Sequence, residues 1–211
     1  MSKKRELLEK LSELAKNVLG DNFSHGFPHV ARVRRISWEI VDNIDAEVDP
    51  FLLDASILLH DIGRVVGEPH AYYSALFARA YLLEHGIESS CVEKVVNAIL
   101  YHSFSYARRH GIKPMTVEAM ILSDADKLDA LGIVGFLRVF HYGWERRRSL
   151  EQSINHFYEK IFKLPELMHF EYTRKKAKEL VATTKWALDR LLDEIGSDWG
   201  SQKHHRLTQA P

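Results

Sequence analysis

Residues 51–61 read Phe-Leu-Leu-Asp-Ala-Ser-Ile-Leu-Leu-His-Asp, an apolar run that ends in an adjacent histidine and aspartate. Pro50 precedes the run and favours the start of a helix, whereas Gly63 follows the pair and favours its end. A carboxylate buried without a partner is costly or is forced to protonate. A metal ion removes that cost, because it binds an imidazole nitrogen and a carboxylate oxygen together. The stretch therefore predicts a buried helix that presents His60 and Asp61 to a metal.

Further candidate ligands lie on both sides of this helix. His25 and His29 precede it, and residues 122–129 read Leu-Ser-Asp-Ala-Asp-Lys-Leu-Asp further along the chain. Imidazoles combined with carboxylates form a mixed nitrogen and oxygen site, which suits a divalent cation with positions left for water and substrate. The candidates follow one another along the chain in the order His29, His60, Asp61, His70, His102 and Asp126.

Three motifs in this order resemble the HD-domain superfamily of metal-dependent phosphohydrolases. They are H-x-x-x-H-x-x-R-V from His25, L-L-H-D-I-G-R around His60, and D-A-D-K-L-D-A-L-G from Asp124. The resemblance extends from Phe23 to about Arg148. It implies one divalent ion (Mn²⁺, Mg²⁺, Fe²⁺, Co²⁺, Ni²⁺ or Zn²⁺), of which manganese is our first choice for assay. The ligands that it implies are His29, His60, Asp61 and Asp126.

Each ligand taken alone also fits a simpler interpretation. His29 fits a hydrogen-bonded histidine in a core, and His60 fits a helix C-terminus, where the dipole favours a cation. Asp126 fits a helix cap or an ion pair with an arginine. The dipole argument fails for Asp61, because a negative charge is disfavoured at a helix C-terminus. The joint occurrence of all four in the order of the family favours the metal site.

His70 and His102 fit two arrangements. Some members of the superfamily use two additional histidines to hold a second metal, and in a one-metal subgroup the same histidines face the substrate phosphates. Two polar side chains at helix ends are a third possibility. We predict a single metal, with His70 and His102 lining the substrate pocket.

Four more residues are candidate contacts to substrate. Arg64 follows the His-Asp pair, and its planar fork suits a phosphate group, so we assign Arg64, Lys127 and Asp61 to catalysis. Lys127 adjoins Asp126, but successive helical residues point about 100° apart, so it also fits a pair with Asp124. Asp129 lies one helical turn after Asp126 and fits either a substrate contact or a group that orients a ligand. The substrate-binding set is therefore His25, His70, His102, Arg64, Lys127 and Asp129.

Two other features concern the surroundings of the ligands. Arg32 lies one turn after His29, where it fits either a carboxylate partner behind the ligands or a surface ion pair. Residues 101–109, interpreted as a loop, mix aromatic and basic side chains as a nucleotide pocket wall does.

Bulk composition excludes several classes of protein. The chain has 211 residues, a formal net charge of zero and one cysteine, Cys91. A balanced charge gives no general attraction for duplex nucleic acid, and a single cysteine cannot form an internal disulfide. No apolar signal core follows the charged start, and no segment has the length of a membrane span. We therefore expect a cytoplasmic enzyme that binds neither duplex nucleic acid nor membrane.

The apolar residues recur at helical spacing throughout, with no alternating strand pattern, which predicts an all-α fold. We expect an HD-type metal-binding bundle over residues 1–148 and C-terminal helices packed on it over residues 149–196. Residues 197–211 are polar and are expected to be a disordered tail. The apolar positions of the C-terminal helices are also compatible with a homodimer.

The C-terminal region, from the stretch Asn155–Ile161 onward, resembles a subgroup of small bacterial and archaeal HD hydrolases. Members of this subgroup with an assigned activity split nucleoside triphosphates into monophosphate and pyrophosphate through a metal-activated water, and we expect that reaction on a small phosphorylated substrate. A 5′-nucleotidase releasing phosphate from monophosphates is the first alternative. A non-catalytic nucleotide sensor and a di-iron oxygenase on the same fold are the others.

Overall fold

The computed structural model describes residues 3–196, and within them it contains α-helices and 3₁₀ segments but no strand. The all-α prediction is confirmed. The expected tail at residues 197–211 lies outside the described residues. The α-helices are α1 Lys3–Leu19, α2 Phe27–Val41, α3 Pro50–Leu59, α4 His70–Glu84, α5 Ser89–His102, α6 Phe104–His110, α7 Val117–Asp129, α8 Gly132–Glu145, α9 Leu150–Glu159 and α10 Glu171–Ile195; the 3₁₀ segments are Ile62–Val65 and Ile161–Leu167.

Local signals fix where the central helices begin. The Asp49 side chain accepts hydrogen bonds from the backbone N–H groups of Phe51 and Leu52, at 2.8 and 3.2 Å, and thus caps α3 ahead of its first apolar residues. Thr116 caps α7 in the same way through the N–H of Ala119 at 3.3 Å. Both helices end at the metal-ligand candidates, so these caps set which residues reach the site.

Helix α3 is the centre of the molecule. Every residue from Phe51 to Leu59 is buried, because α1, α2, α5 and α7 pack around it. A helix that is mostly apolar and buried on all sides gains stability by such complete enclosure, at about 25 cal/mol per Å² of apolar area removed from water. The closing His60-Asp61 pair is consequently held in the interior.

The C-terminal helices share this core. Phe157, Ile161 and Leu188 belong to the same buried cluster as the residues of α3, and α10 packs mainly on α8. The Thr173 hydroxyl donates to Oδ2 of Asp124 at 2.6 Å, which joins the start of α10 to the middle of α7. These contacts cross residue 148, the boundary expected from the sequence, while Trp186 is exposed.

Two further findings bear on the sequence predictions. Residues 101–109, interpreted from the sequence as a loop, contain helix α6. Ala107 is buried and holds this helix against the core, whereas its basic side chains are exposed. Within residues 3–196 no helix is both long enough and apolar enough to cross a bilayer.

Candidate active site

The 3₁₀ segment Ile62–Val65, which follows α3, meets the start of α4 at a close approach that requires glycine. A Cβ atom on Gly63 would lie 2.4 Å from the carbonyl oxygen of His70 and 2.4 Å from the backbone nitrogen of Ser74. The N–H of Gly63 donates instead to Oγ of Ser74 at 2.8 Å. Any side chain at position 63 would push the two helices apart, so this contact sets the distance between His70 and the His60-Asp61 pair.

The four predicted metal ligands converge on one point. Nε2 of His29 lies 3.3 Å from Nε2 of His60, 3.4 Å from Oδ1 of Asp126 and 3.7 Å from Oδ2 of Asp61. Nε2 of His60 lies 3.7 Å from the same Asp61 oxygen. These side chains come from α2, the end of α3 and α7, so the packing of three helices assembles the set.

Hydrogen bonds behind the imidazoles fix which nitrogen faces the centre. Nδ1 of His60 donates to the carbonyl oxygen of Ile57 at 2.7 Å, and Nδ1 of His29 donates to Oδ2 of Asp129 at 2.7 Å. A neutral imidazole that donates from Nδ1 keeps a lone pair on Nε2. The two Nε2 lone pairs therefore face each other, an arrangement that a shared cation stabilises.

The Asp61 carboxylate gives independent support for a cation. The residue is 1% exposed, and among the described residues its Oδ1 atom has no hydrogen-bond partner. Its Oδ2 accepts from Nε of Arg64 at 2.5 Å. A buried carboxylate oxygen without a donor is costly, so the donor set fits a divalent metal at this point.

The charge states suit metal binding. Burial would raise the pKa of the Asp61 carboxyl, but Arg64 and His60 outweigh burial and hold the pKa well below its ordinary value. Burial lowers the pKa of His60 to about 3, so the imidazole is neutral at physiological pH. At Asp126 the effect of burial is outweighed by His29, and the pKa of this carboxyl is also held well below its ordinary value. Anionic carboxylates and neutral imidazoles are the forms that bind metals.

Asp129 lies behind the ligands, in contrast to the substrate contact expected from the sequence. It is 3% exposed, and besides His29 its oxygens accept from Nε of Arg32 and from Nη1 of Arg138, each at 2.7 Å. With both oxygens occupied by protein donors, Asp129 orients His29 and has none free for a ligand. Of the two roles left open for Arg32, the structure shows the carboxylate partner behind the ligands, whereas no sequence signal identified Arg138.

His102 lies closer to the ligands than a pocket-lining role suggests. Its Nδ1 donates to the carbonyl oxygen of Ile99, so its Nε2 points inward and lies 3.7 Å from Oδ1 of Asp61. His60, Asp61 and His102 form a second group that could hold an ion, beside the group of His29, His60 and Asp126. His70 is more exposed; its Nε2 lies 3.4 Å from Oδ1 of Asp61, and its Nδ1 donates to Oε2 of Glu68 at 3.0 Å.

A cavity of about 680 Å³ opens onto this cluster. Among the predicted residues, His25, His70, His102, Arg64, Lys127 and Asp126 line it. His25 lies in the loop before α2, with its ring 4.7 Å from that of Tyr142, and burial lowers its pKa to about 2. The cationic side chains that line the cavity are Arg64, Arg108, Lys127, Arg138, Arg148, Lys160 and Lys163; the acidic ones are Glu68, Asp126, Glu159 and Glu166.

Arg64 and Lys127 are both engaged by the protein. Arg64 pairs with Asp61 and lies near Nε2 of His70, whereas the buried Nζ of Lys127 donates to the carbonyl oxygen of Ser123 at 2.9 Å and to the Ser123 hydroxyl. Burial lowers the pKa of Lys127, although Asp124 and Asp126 oppose the effect. Both cations therefore stand at the base of the cavity.

Sequence reasoning assigned no role to Arg148, Lys160 or Lys163 at the cavity mouth, and it included Arg108 only in the pocket wall expected at residues 101–109. Within residues 3–196, Arg108, Lys160 and Lys163 form no ion pair with a carboxylate, and the Arg148 guanidinium lies 5.3 Å from the centre of the Tyr142 ring. Lys160 immediately precedes the second 3₁₀ segment, and Lys163 lies within it. Lys160 belongs to the Asn155–Ile161 stretch that carries the subgroup resemblance, but the sequence assigned no role to either lysine. We call Arg108, Arg148, Lys160 and Lys163 the rim.

Comparison with known proteins is consistent with this geometry. A family model described as HD domain matches residues 26–131. An uncharacterized protein, YpgQ of Bacillus subtilis, is 27% identical over 176 residues, which cover 81% of this chain and 85% of that protein. The crystal structure of YpgQ in complex with ADP matches with a TM-score of 0.74 and 22% identity, covering 93% of this chain and 98% of YpgQ. The crystal structure of an HD-superfamily hydrolase from Bacillus thuringiensis matches with a TM-score of 0.65 and 25% identity, and the match covers 94% of this chain and 100% of that chain.

Proposed function

The chain belongs to the HD-domain superfamily of metal-dependent phosphohydrolases, and we propose that it splits nucleoside triphosphates into monophosphate and pyrophosphate. One observation carries the proposal: a cavity bordered by cations without carboxylate partners leads to a buried His-Asp cluster. In a chain of zero net charge, this local excess of positive charge favours a polyanion.

We assign the metal to His29, His60, Asp61 and Asp126. When bound, a divalent ion polarises a phosphoryl oxygen and lowers the pKa of a water molecule. The geometry supports one ion per chain, because the two groups that could hold an ion share His60. The single free lone pair on Nε2 of His60 forms one coordinate bond, so both groups cannot be complete together.

Residues that line the cavity bind the phosphates and accept the proton of the attacking water. The rim cations bind the outer phosphates, and Lys127 lies at the base near Asp126, where the α-phosphate would meet the cluster. Water adds to the α-phosphorus, the bond from that phosphorus to the bridging oxygen breaks, and pyrophosphate leaves. His70 accepts the water proton at Nε2, since Glu68 holds its Nδ1–H and orients the ring toward Asp61.

Two observations support a nucleotide over a smaller phosphate ester. The cavity volume of about 680 Å³ is within the range of pockets that enclose a whole drug-sized ligand. YpgQ, which shares the fold, has been crystallised with ADP. A triphosphate uses the rim more fully than a monophosphate does, which favours pyrophosphate release over the 5′-nucleotidase reaction.

The test is a Mn²⁺-dependent turnover screen over nucleoside mono-, di- and triphosphates, with pyrophosphate and phosphate separated. Asp61→Ala and Asp126→Ala are run beside Asp45→Ala, which removes an exposed carboxylate away from the cavity. We expect pyrophosphate from triphosphates in the wild type and in Asp45→Ala, and none in the two ligand variants. Phosphate from monophosphates would select the nucleotidase. Nucleotide binding without product, with metal bound, would replace the proposal by the sensor, and two irons per chain would indicate the oxygenase.

A further inference from the structure

A second cavity of about 270 Å³ adjoins the first. The two share Phe104, Arg108, Lys127 and Leu167 as lining residues, so they meet along one boundary beside the base of the active site. This volume is below the range typical of pockets for a whole ligand, and it suits one flat ring system. A ligand with a charged part in the first cavity could place a planar part in the second.

The wall chemistry of the second cavity differs from that of the first. No aspartate or glutamate of the described residues lines it, and Phe104, Ala107, Ile112 and Leu167 supply apolar surface. Phe104 is 39% exposed at the shared boundary. An aromatic ring exposed at a cavity offers a face on which another planar ring can stack.

The polar end of this cavity is rigid. The Tyr101 hydroxyl donates to Nε2 of His169 at 2.7 Å, while Nδ1 of His169 donates to Oδ1 of Asp124 at 2.6 Å. Asp124 is fully buried, so the chain of hydrogen bonds is anchored in the core. Because the Tyr101 proton is used, its oxygen retains lone pairs that can accept from a ring substituent.

We propose that the second cavity is the nucleobase subsite, in which Phe104 stacks on the base while the phosphates extend past Lys127 toward Asp126. The inference rests on the proposed nucleotide hydrolysis and adds the position of the base to it. The alternative wall is the His25–Tyr142 contact in the first cavity, whose rings also lie in reach of a ligand.

The experiment compares a nucleoside triphosphate with ribose 5-triphosphate, which carries the same phosphates and sugar without a base. Initial rates of pyrophosphate release give KM and kcat for the wild type, Phe104→Ala, Tyr142→Ala and Phe77→Ala. Phe77 is a matched control, because it is 36% exposed on α4 and lines neither cavity. Ala107→Leu, which fills the second cavity from α6, provides an independent block.

We expect Phe104→Ala and Ala107→Leu to raise KM for the nucleotide about tenfold, the size of one stacking contact. KM for ribose 5-triphosphate should not change in either variant, and Phe77→Ala should leave both substrates unchanged. Equal effects on the two substrates in Phe104→Ala, or no effect on either, would overturn the inference. A nucleotide-selective effect in Tyr142→Ala alone would overturn it as well and move the base to the other wall.

Failure of the proposed reaction would be recognised separately. In that case the metal-loaded wild type would release pyrophosphate from neither substrate. Calorimetric titration of ADP and ribose 5-diphosphate would then test the base subsite alone. Weaker binding of ADP to Phe104→Ala, with unchanged binding of ribose 5-diphosphate, would sustain it; the same affinities in wild type and variant would refute it.

Discussion

The proposed metal ligands and the rim are held in opposite ways. His29, His60 and Asp61 are at most 1% exposed, and both histidines are fixed from behind by hydrogen bonds. The side chains of Arg108, Lys160 and Lys163 are exposed and form no ion pairs within residues 3–196. Coordination depends on short distances and direction, whereas attraction of a polyanion depends mainly on charge. Mutation should therefore affect chemistry at the ligands and affinity at the rim.

The largest loss of activity should come from Asp61→Asn, which preserves the shape of the side chain but removes its charge. We expect kcat to fall by about a hundred- to a thousandfold, since one electrostatic contributor at a reacting centre has this weight. Bound metal measured by mass spectrometry should fall as well. Retained metal with full kcat would remove Asp61 from the ligand set and end the contrast with the rim.

Asp129→Asn tests whether the support behind the ligands acts through the metal. Asparagine keeps the size but presents a weaker acceptor to His29, Arg32 and Arg138, so metal affinity should fall by about 10- to 100-fold. Activity should return at high Mn²⁺ concentration, which is measured as a shift in the metal titration. A loss that excess metal does not relieve would show that Asp129 serves the fold instead.

The pH dependence of stability probes the neutral, buried state of His60. Its folded pKa of about 3 is below the unfolded value near 6.5, so the unfolded state binds an additional proton between these values. The metal-free protein should lose stability as pH falls below 6.5, by about 2 kcal/mol from this residue at pH 5. Chemical denaturation at several pH values measures the slope, which His60→Asn should reduce by one proton. His110→Asn, at an exposed position, should keep the wild-type slope.

The smallest effect is expected at the rim. Lys160→Gln combined with Lys163→Gln should raise KM for triphosphates by less than about thirtyfold, because each exposed charge contributes under about 1 kcal/mol. The wild-type KM should rise with salt, and the double variant should lose part of that dependence. Lys175→Gln with Lys178→Gln, on the exposed face of α10, is the control. A fall in kcat with unchanged KM would place the rim lysines in the chemistry and erase the distinction.

The same contrast explains what could be predicted from the sequence. The apolar run of α3 and the adjacent His60-Asp61 pair are local signals that predict a buried site, because burial of an unpaired charge is energetically costly. The four predicted ligands came from the order of three motifs, and the structure brings these side chains together. The sequence left two roles open for Asp129 and did not select between them, because its contact with His29 joins residues 100 positions apart.

The two rim lysines, Lys160 and Lys163, belong to no sequence motif that predicts their role. Exposed lysines are common on any helical surface, so Lys160 and Lys163 acquire a role only from the path of the second 3₁₀ segment. Arg108 belongs to the aromatic and basic segment predicted to form a pocket wall, although that segment contains helix α6 and is not a loop. Such side chains become visible only when distant elements are placed around a common cavity.

The anchoring of Asp124 restricts how this architecture can be inherited. Its oxygens accept from Nδ1 of His169 at 2.6 Å, from the His169 N–H at 2.9 Å and from Thr173 at 2.6 Å, all contributed by residues beyond the part that matches the family model. Asp124 lies two residues before Asp126 on α7. If recombination replaced the C-terminal helices by ones that lack these hydrogen-bond donors, Asp124 would become an unsatisfied buried carboxylate close to the proposed ligand Asp126. The bundle and its C-terminal helices should therefore pass between genomes as a single module.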